Sequence, residues 1–522
     1  MGKNPEVLTR QREAVNRRGK VMPPVNGMAI LIIGLAATAF LTRLLPLLES
    51  GTLGGFRGYD DAVHYAAGVH LLAGSIPYQD FVLVHPPGIA VLMTPFAALG
   101  WLVSDTVGIG SARVFFALLG ALNTVMIGLL LKKWGHAAVV VGAGLYAVST
   151  VATIAERSVM LSPLLTTCTL LALVALRSDS RLHPRRAVTV AGAVLGLALC
   201  FKLWAVMPIL VLGLMVAARF GTRLLLRFVV AGAAVCTVVM GPFFLASPRA
   251  MFKDVILAQL ARTDGAMKDL SYRLGDFVGI PLPQNALTAV AAVGALAILV
   301  SALIGIEQGF KAGSWADEFW WAALAGVTTA ALLMSMSFFD HYPNFTIAYI
   351  ALCLGVVVGF VTRAVSRRRR LLPQAVATAM AVGLLVPVGI HGFELNPKPL
   401  PGVNETTLAR EVSQYDCVFT AYAYLGVISD SMSSSMHHGC SSIVDVYGTR
   451  MVEALPPDGP WLPGRPAMSS ELLQVEQLRN AQAAVVGKSL AFYGLAPMAI
   501  EELTRNFVLK TGQGNFQVWV RR

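Results

Sequence analysis

The sequence predicts a polytopic α-helical membrane protein of about eleven transmembrane helices, with a small extracytoplasmic α/β domain at its carboxy-terminal end. Three observations lead there. Of 522 residues, 56% are hydrophobic and 13% charged, against about 25% charged in ordinary soluble domains. The apolar residues come in blocks: 114–131, 136–155, 159–176, 228–247, 286–306, 319–339 and 344–362 hold no Asp, Glu, Lys or Arg. In hydrocarbon each backbone amide must be bonded inside its own segment, so such blocks read as spanning helices. After residue 392 prolines and short β-type runs replace the blocks.

Basic residues set the orientation. The net charge is +12, placed in the leader (Lys3, Arg10, Arg12, Arg17, Arg18, Lys20), at Lys132–Lys133, at Arg177/Arg181/Arg185/Arg186, at Arg219/Arg223/Arg227 and at Arg363/Arg367–Arg370. Alternation of basic loops is the positive-inside pattern. It excludes nucleic acid as a partner and leaves membrane lipids. The chain is expected in the plasma (inner) membrane as a multi-pass protein, with residues 1–27 a cytoplasmic leader. No small-residue cleavage motif precedes Met28, so 28–48 reads as a retained first helix.

The remaining elements follow in order. An outer loop, 49–110, carries an amphipathic helix near 60–73, and then His85-Pro86-Pro87-Gly88 opens an apolar helix over 88–103. That helix is too short to cross comfortably, and keeping it in the outer leaflet returns every basic loop to the inside. Spans follow at 112–131, 136–155 and 159–176. The stretch 187–218 would be about 48 Å long as one helix, so it splits at Phe201-Lys202 into spans 187–201 and 203–218, with Lys202 at the outer face. Further spans at 228–247, 286–306, 319–339, 344–362 and 374–391 complete a membrane domain over 28–392.

Residues 393–522 form the extracytoplasmic domain, with strands expected at Val418–Tyr424, Ser442–Val446 and Asn515–Val520 and a helix at 470–485. It carries a sequon at Asn404-Glu405-Thr406. Its aromatic residues (Trp461, Phe492, Tyr493, Phe516, Trp519) suit a core better than a sugar platform. Cys168, Cys200, Cys236 and Cys353 fall in spans, whereas Cys417 and Cys440 lie where an oxidising compartment allows a disulfide.

With this topology ionisable residues gather at one membrane face, where they are costly unless paired or wetted. The first outer loop supplies Asp60, Asp61, His64, His70, Asp80 and His85; Arg157, Lys202, Gln259, Arg262, Arg273 and Asp340-His341-Tyr342 join them. One of the Asp60-Asp61 pair can act as general base on a hydroxyl, or the pair can simply cap the helix that follows. Lys202, Arg157 and Arg262, with Gln259 beside them, can hold a phosphate. The alternatives are snorkelling for Lys202 and pairing with Glu156 for Arg157. His64, Tyr65, His85, Asp340, His341 and Tyr342 are substrate-site candidates, although His341 also suits a packed interfacial role. No His or Cys spacing implies a metal.

The run Gly58-Tyr59-Asp60-Asp61-Ala62-Val63-His64-Tyr65, then Leu71-Leu72-Ala73-Gly74-Ser75-Ile76-Pro77-Tyr78, His85-Pro86-Pro87-Gly88 and Pro95-Phe96 resembles the opening of GT-C glycosyltransferases. It is most similar to glycosyltransferase family 87, the mannosyl- and arabinofuranosyltransferases of actinobacterial envelopes. The resemblance covers roughly 28–180 and extends as topology to about 390. It implies a polyprenyl-phosphate sugar as donor, an envelope glycolipid or polysaccharide as acceptor, and inversion with Asp60 or Asp61 as base. Asp-Asp stands here where many relatives have Asp-Glu or a lone Asp, and Asp60 is favoured. No cofactor beyond the lipid-linked donor is firmly implied.

Other classes compete. A lipid or solute transporter would carry mid-membrane polar residues and paired broken helices, yet the spans are nearly clean. A non-catalytic envelope assembly factor would leave the Asp pair dispensable. A polymerase or ligase using a lipid-diphosphate donor is a related enzyme reading.

Overall fold

The computed structural model describes residues 27–262, 268–312, 315–366, 372–395, 402–440, 442–455, 469–490 and 494–522. The basic leader over 1–26, Arg367–Arg370, Trp461, Phe492 and Tyr493 lie outside them. The chain is a mostly helical membrane protein with a small carboxy-terminal sheet.

The bundle contains α1 (Gly27–Glu49), α2 (Tyr59–Leu72), α3 (Gly88–Leu102), α4 (Asp105–Leu131), α5 (His136–Val148), α6 (Thr150–Glu156), α7 (Leu161–Leu176), α8 (Pro184–Leu199), α9 (Val206–Phe220), α10 (Thr222–Ala246), α11 (Leu270–Val278), α12 (Gln284–Ala312), α13 (Asp317–Leu333), α14 (Asn344–Ser366) and α15 (Leu372–Glu394). Helices lie in each expected spanning stretch, although 319–339 leaves helix after Leu333. Against eleven expected spans, six helices among the described residues are long and apolar enough to cross alone, and α5 with α6, bent by 49° at Ser149, would make a seventh. The apolar helix α3 is short, 15 residues, as expected.

Local chemistry sets the breaks. The α8 helix ends at Cys200, and Lys202 is extended (φ −156°, ψ 138°) before a short turn leads into α9. Small residues let α8 and α10 touch backbone to backbone: a Cβ on Gly192 would stand 2.2 Å from the Phe228 carbonyl oxygen.

Several buried charges in the bundle are paired. Glu156, closing α6, accepts from Arg43 Nε of α1 at 2.6 Å, Tyr146 Oη at 2.6 Å and Asn123 Nδ2 at 2.9 Å. Arg43 Nη1 donates to the Ala39 and Ala147 carbonyls, both at 2.8 Å. At the opposite face Lys133 meets Glu318 at 2.7 Å and Arg219 meets Asp317 at 2.6 Å.

The carboxy-terminal region holds α16 (Glu405–Val412), β1 (Val418–Thr420), α17 (Ala423–Ile428), α18 (Met432–His437), α19 (Val446–Glu453), α20 (Ser470–Asn480), β2 (Ala483–Gly487), α21 (Pro497–Asn506), β3 (Phe507–Gln513) and β4 (Phe516–Arg521). The strand order is β1-β2-β4-β3, parallel between β1 and β2 and antiparallel elsewhere. Two expectations are corrected. Val418–Tyr424 keeps only three strand residues before α17 starts, and Ser442–Val446 is not a strand. There Asp445 accepts from the Gly448 amide at 2.8 Å and caps α19, a local bond that outcompetes β propensity. The expected helix at 470–485 stops at Asn480 and β2 follows. Phe516 is core as expected, and Trp519 packs against that core. Cys417 and Cys440 form the expected disulfide, with Cα atoms 5.7 Å apart.

This region sits on the bundle end that carries α2. Asp105, at the start of α4, accepts from the Ser433 amide at 3.0 Å and from Tyr65 Oη at 3.1 Å, and Asp430 accepts from the Asp105 amide at 2.6 Å. Glu405 accepts from the Phe56 amide at 3.1 Å.

Candidate active site

The site forms where the first turn of α2 meets the break after α8. Gly58 occupies the capping position of α2 and no side chain caps it. Asp60 and Asp61 therefore stand inside the first turn, where the helix dipole favours carboxylates. Adjacent residues on a helix point about 100° apart, and the two acids part company.

Asp61 is fully buried. It accepts from Arg113 Nε at 3.0 Å, makes a closer contact with Arg113 Nη2, and accepts from the Val159 amide at 2.5 Å. Arg113 also donates from Nη1 to the carbonyls of Thr52, Leu53 and Gly55 at 2.9, 2.7 and 2.7 Å. The pair is a scaffold clamp, and the carboxylate has no open side for a substrate hydroxyl.

Asp60 is half-buried on the other flank. Its charge acts on Lys202 and His341. Burial lowers the Lys202 ammonium to about 7, Asp60 pulls it back up, and Arg262 adds to the fall. His85 is held well below its ordinary value by burial, then by Lys202, His64 and Arg262. His341 falls to about 4 through burial, partly offset by Asp60. Both imidazoles are neutral near pH 7, and Lys202 is poised between its two states.

Backbone contacts hold these groups in place. The Gly88 amide donates to the Cys200 carbonyl at 2.8 Å, and a Cβ on Gly88 would stand 2.5 Å from that oxygen. The His85-Pro86-Pro87-Gly88 turn is thus seated on the break that presents Lys202. Tyr78 Oη donates to the His85 carbonyl at 2.7 Å, and Gln259 Nε2 donates to the Val84 carbonyl at 2.7 Å. His64 Nδ1 is 2.6 Å from the Val159 carbonyl, and its ring lies 5.8 Å from that of His85. The Lys202 Nζ rests 3.9 Å from the Trp204 ring centre and 4.8 Å from that of Tyr342. Arg262 lies over Phe339, 4.8 Å from its ring centre.

Asp60, Lys202, Arg262, His64, His85, His341 and Tyr342 are brought together, with Gln259 alongside. Other expected residues are not. Arg157 is fully buried and donates from Nη2 to the carbonyls of Thr42 at 2.7 Å and Gly392 at 2.9 Å, so it ties α1, α6 and α15 rather than facing a phosphate. Tyr65, also fully buried, serves Asp105. Arg273 donates to the carbonyls of Leu332, Leu333 and Ser335 and so closes the end of α13.

A cavity of about 480 Å³ adjoins the cluster at Asp340 and His341. Asp340 is an exposed lining residue there, and Arg57 and Ser158 also line the cavity.

Residues that sequence reasoning passed over include Arg113, Arg57, Tyr59 and Asp445. Tyr59 Oη donates to Asp445 Oδ1 at 2.7 Å and accepts from the Tyr447 amide at 2.9 Å. It thereby joins the carboxy-terminal region to the residue before Asp60.

Solved structures share this architecture. The crystal structure of ArnT from Cupriavidus metallidurans in the apo state superposes with a TM-score of 0.58 at 14% identity, over 94% of this chain and 97% of that one. The same protein bound to undecaprenyl phosphate gives 0.53 at 14% identity, over 95% and 98%. The archaeal oligosaccharyltransferase AglB from Archaeoglobus fulgidus, in complex with an inhibitory peptide and a dolichol-phosphate, gives 0.51 at 12% identity, over 94% and 74%. No protein-family model and no curated protein sequence matches the chain. The chain shares the fold of these solved structures.

Proposed function

We propose that this protein is an inverting membrane glycosyltransferase. It moves a sugar, mannose or arabinofuranose, from a polyprenyl-phosphate donor to a hydroxyl of an envelope glycolipid or polysaccharide on the outer face of the plasma membrane. The observation that carries this reading is the gathering of Asp60 with Lys202 and Arg262 at one edge of a GT-C-like bundle. Solved neighbours of that fold bind undecaprenyl phosphate and dolichol-phosphate.

Asp60 is the base. The acceptor hydroxyl gives its proton to Asp60, its oxygen bonds to the anomeric carbon, and the bond from that carbon to the phosphate oxygen breaks. The electron pair leaves with the lipid phosphate, whose charge Lys202 and Arg262 hold. Because the phosphate is a competent leaving group, positioning and charge stabilisation supply most of the rate. Asp61 sets the position of Asp60 through Arg113 without touching substrate.

The test is transfer of radiolabel from polyprenyl-phosphate mannose or polyprenyl-phosphate arabinofuranose to an envelope glycolipid extract, with the protein reconstituted in lipid. Transfer from one donor, lost in Asp60→Asn, is expected. No transfer from either donor, or transfer indifferent to that change, rejects the reading in favour of a transporter or assembly factor.

A further inference from the structure

The cavity beside the cluster has polar atoms with no hydrogen-bond partner among the described residues. Arg57 donates from Nε and Nη2 to Ser158 Oγ, both at 3.4 Å, but its Nη1 makes no hydrogen bond. Thr150 Oγ1, in a residue only 3% exposed, makes none either. Asp276 Oδ2 is likewise buried without a hydrogen-bond partner among the described residues. All three residues line the same space. Buried polar groups left unbonded are rare, and each calls for an explanation.

The three differ in kind: a guanidinium donor, a hydroxyl that can give or accept, and a carboxylate acceptor. Sugar hydroxyls satisfy all three at once, because each both gives and accepts a hydrogen bond. A phosphate fits poorly. It would be attracted by Arg57 but repelled by Asp276 and by Asp340 at the rim, while the Lys202 and Arg262 pair stands across the cluster. The rest of the lining is apolar, with Ile154, Met160, Ile280 and Leu287 among it. Ile154 is 39% exposed. A lining that mixes unbonded polar atoms with apolar side chains suits a sugar headgroup on an aliphatic anchor.

We infer that this cavity binds the neutral sugar headgroup of a lipid-anchored acceptor, through Arg57, Thr150 and Asp276. The inference rests on the glycosyltransferase reading for the word acceptor, but the binding itself can be measured without any transfer. The headgroup would enter past Ile154 and present a hydroxyl toward His341 and Asp60. The donor phosphate would take the other side of the cluster.

The experiment measures Kd for two probes on the full chain in lipid nanodiscs: an octyl glycoside, as its mannopyranoside and arabinofuranoside, and farnesyl phosphate. Thr150→Val and Asp276→Asn keep side-chain volume while removing one hydrogen-bonding function each. Either change should weaken the glycoside roughly three- to tenfold and leave farnesyl phosphate unchanged. Lys202→Met should do the reverse. Ile154→Trp, which adds bulk to the lining, should abolish glycoside binding, and the isosteric variants serve if it does not fold. Absence of glycoside binding, affinity indifferent to both isosteric changes, or farnesyl phosphate lost with them overturns the inference. Loss of transfer in Asp60→Asn with glycoside binding intact separates this result from the proposed function.

Discussion

Gly88 and Cys200 are joined by a backbone hydrogen bond of 2.8 Å, which links the first loop to the helix break that carries Lys202. The approach needs glycine because an added methyl carbon would meet the Cys200 carbonyl oxygen at 2.5 Å. Gly88→Ala should therefore push the turn off the break. Overpacking of this kind costs about 1–3 kcal/mol. Transfer from polyprenyl-phosphate donor should fall at least about tenfold while the chain still inserts and purifies. Unchanged transfer would show that the seat does not set the position of Lys202.

The two acids should fail differently. Asp60→Asn should lower transfer by about 100- to 10,000-fold with little change in thermal stability. Asp61→Asn should destabilise the protein by about 3–5 kcal/mol, since it strands Arg113 as a buried charge. Thermal unfolding in lipid nanodiscs beside the transfer assay separates them. An Asp61→Asn protein of normal stability with no transfer would reverse the two roles.

Binding of donor phosphate should depend on pH through Lys202. Its ammonium titrates at about 7 in the free protein, and only the charged form attracts a phosphate. Below pH 7 the cation is present; above it the site must first take up a proton. A farnesyl phosphodiester, whose single charge does not change over this range, should therefore bind about tenfold more weakly at pH 8 than at pH 6, and Lys202→Arg should flatten that slope. A flat profile in the unaltered protein would remove Lys202 from the phosphate site.

Tyr59→Phe should loosen the carboxy-terminal region from the bundle. It removes a donor to Asp445, whose carboxyl burial already lifts above its ordinary range, and an acceptor for the Tyr447 amide. The expected cost is about 1–3 kcal/mol, seen as faster hydrogen exchange in 445–453. Transfer should also fall, because Asp60 is the next residue.

Much of this was legible in sequence. A lysine interrupting an apolar stretch too long for one crossing marks the Lys202 break, and His85-Pro86-Pro87-Gly88 marks a turn before a helix. The apolar blocks became helices where expected. What stayed hidden were pairings across long separations. Arg113 stands near the start of a long apolar helix and reads as an ordinary span end, although Asp61, 52 residues earlier, is its partner. Tyr59 and Asp445 are 386 residues apart, beyond any periodicity. Tyr65 shares a helix face with apolar neighbours, but helical spacing cannot say that this face turns toward Asp105. Ser442–Val446 misled because β-type residues surround an aspartate whose capping bond decides the local structure.

Arg43 and Glu156, 113 residues apart, also impose an order on how the protein is made. Neither can be left facing hydrocarbon alone without a cost of several kcal/mol. When α6 leaves the insertion machinery, α1 must already be waiting beside it so that Glu156 meets Arg43. A chain lacking α1, or bearing Arg43→Leu, should be recognised as unassembled and degraded during synthesis, before its candidate site exists. Pulse-chase turnover of Arg43→Leu would reveal this, and the Arg43→Leu, Glu156→Leu double variant should regain a lifetime that the single variant lacks.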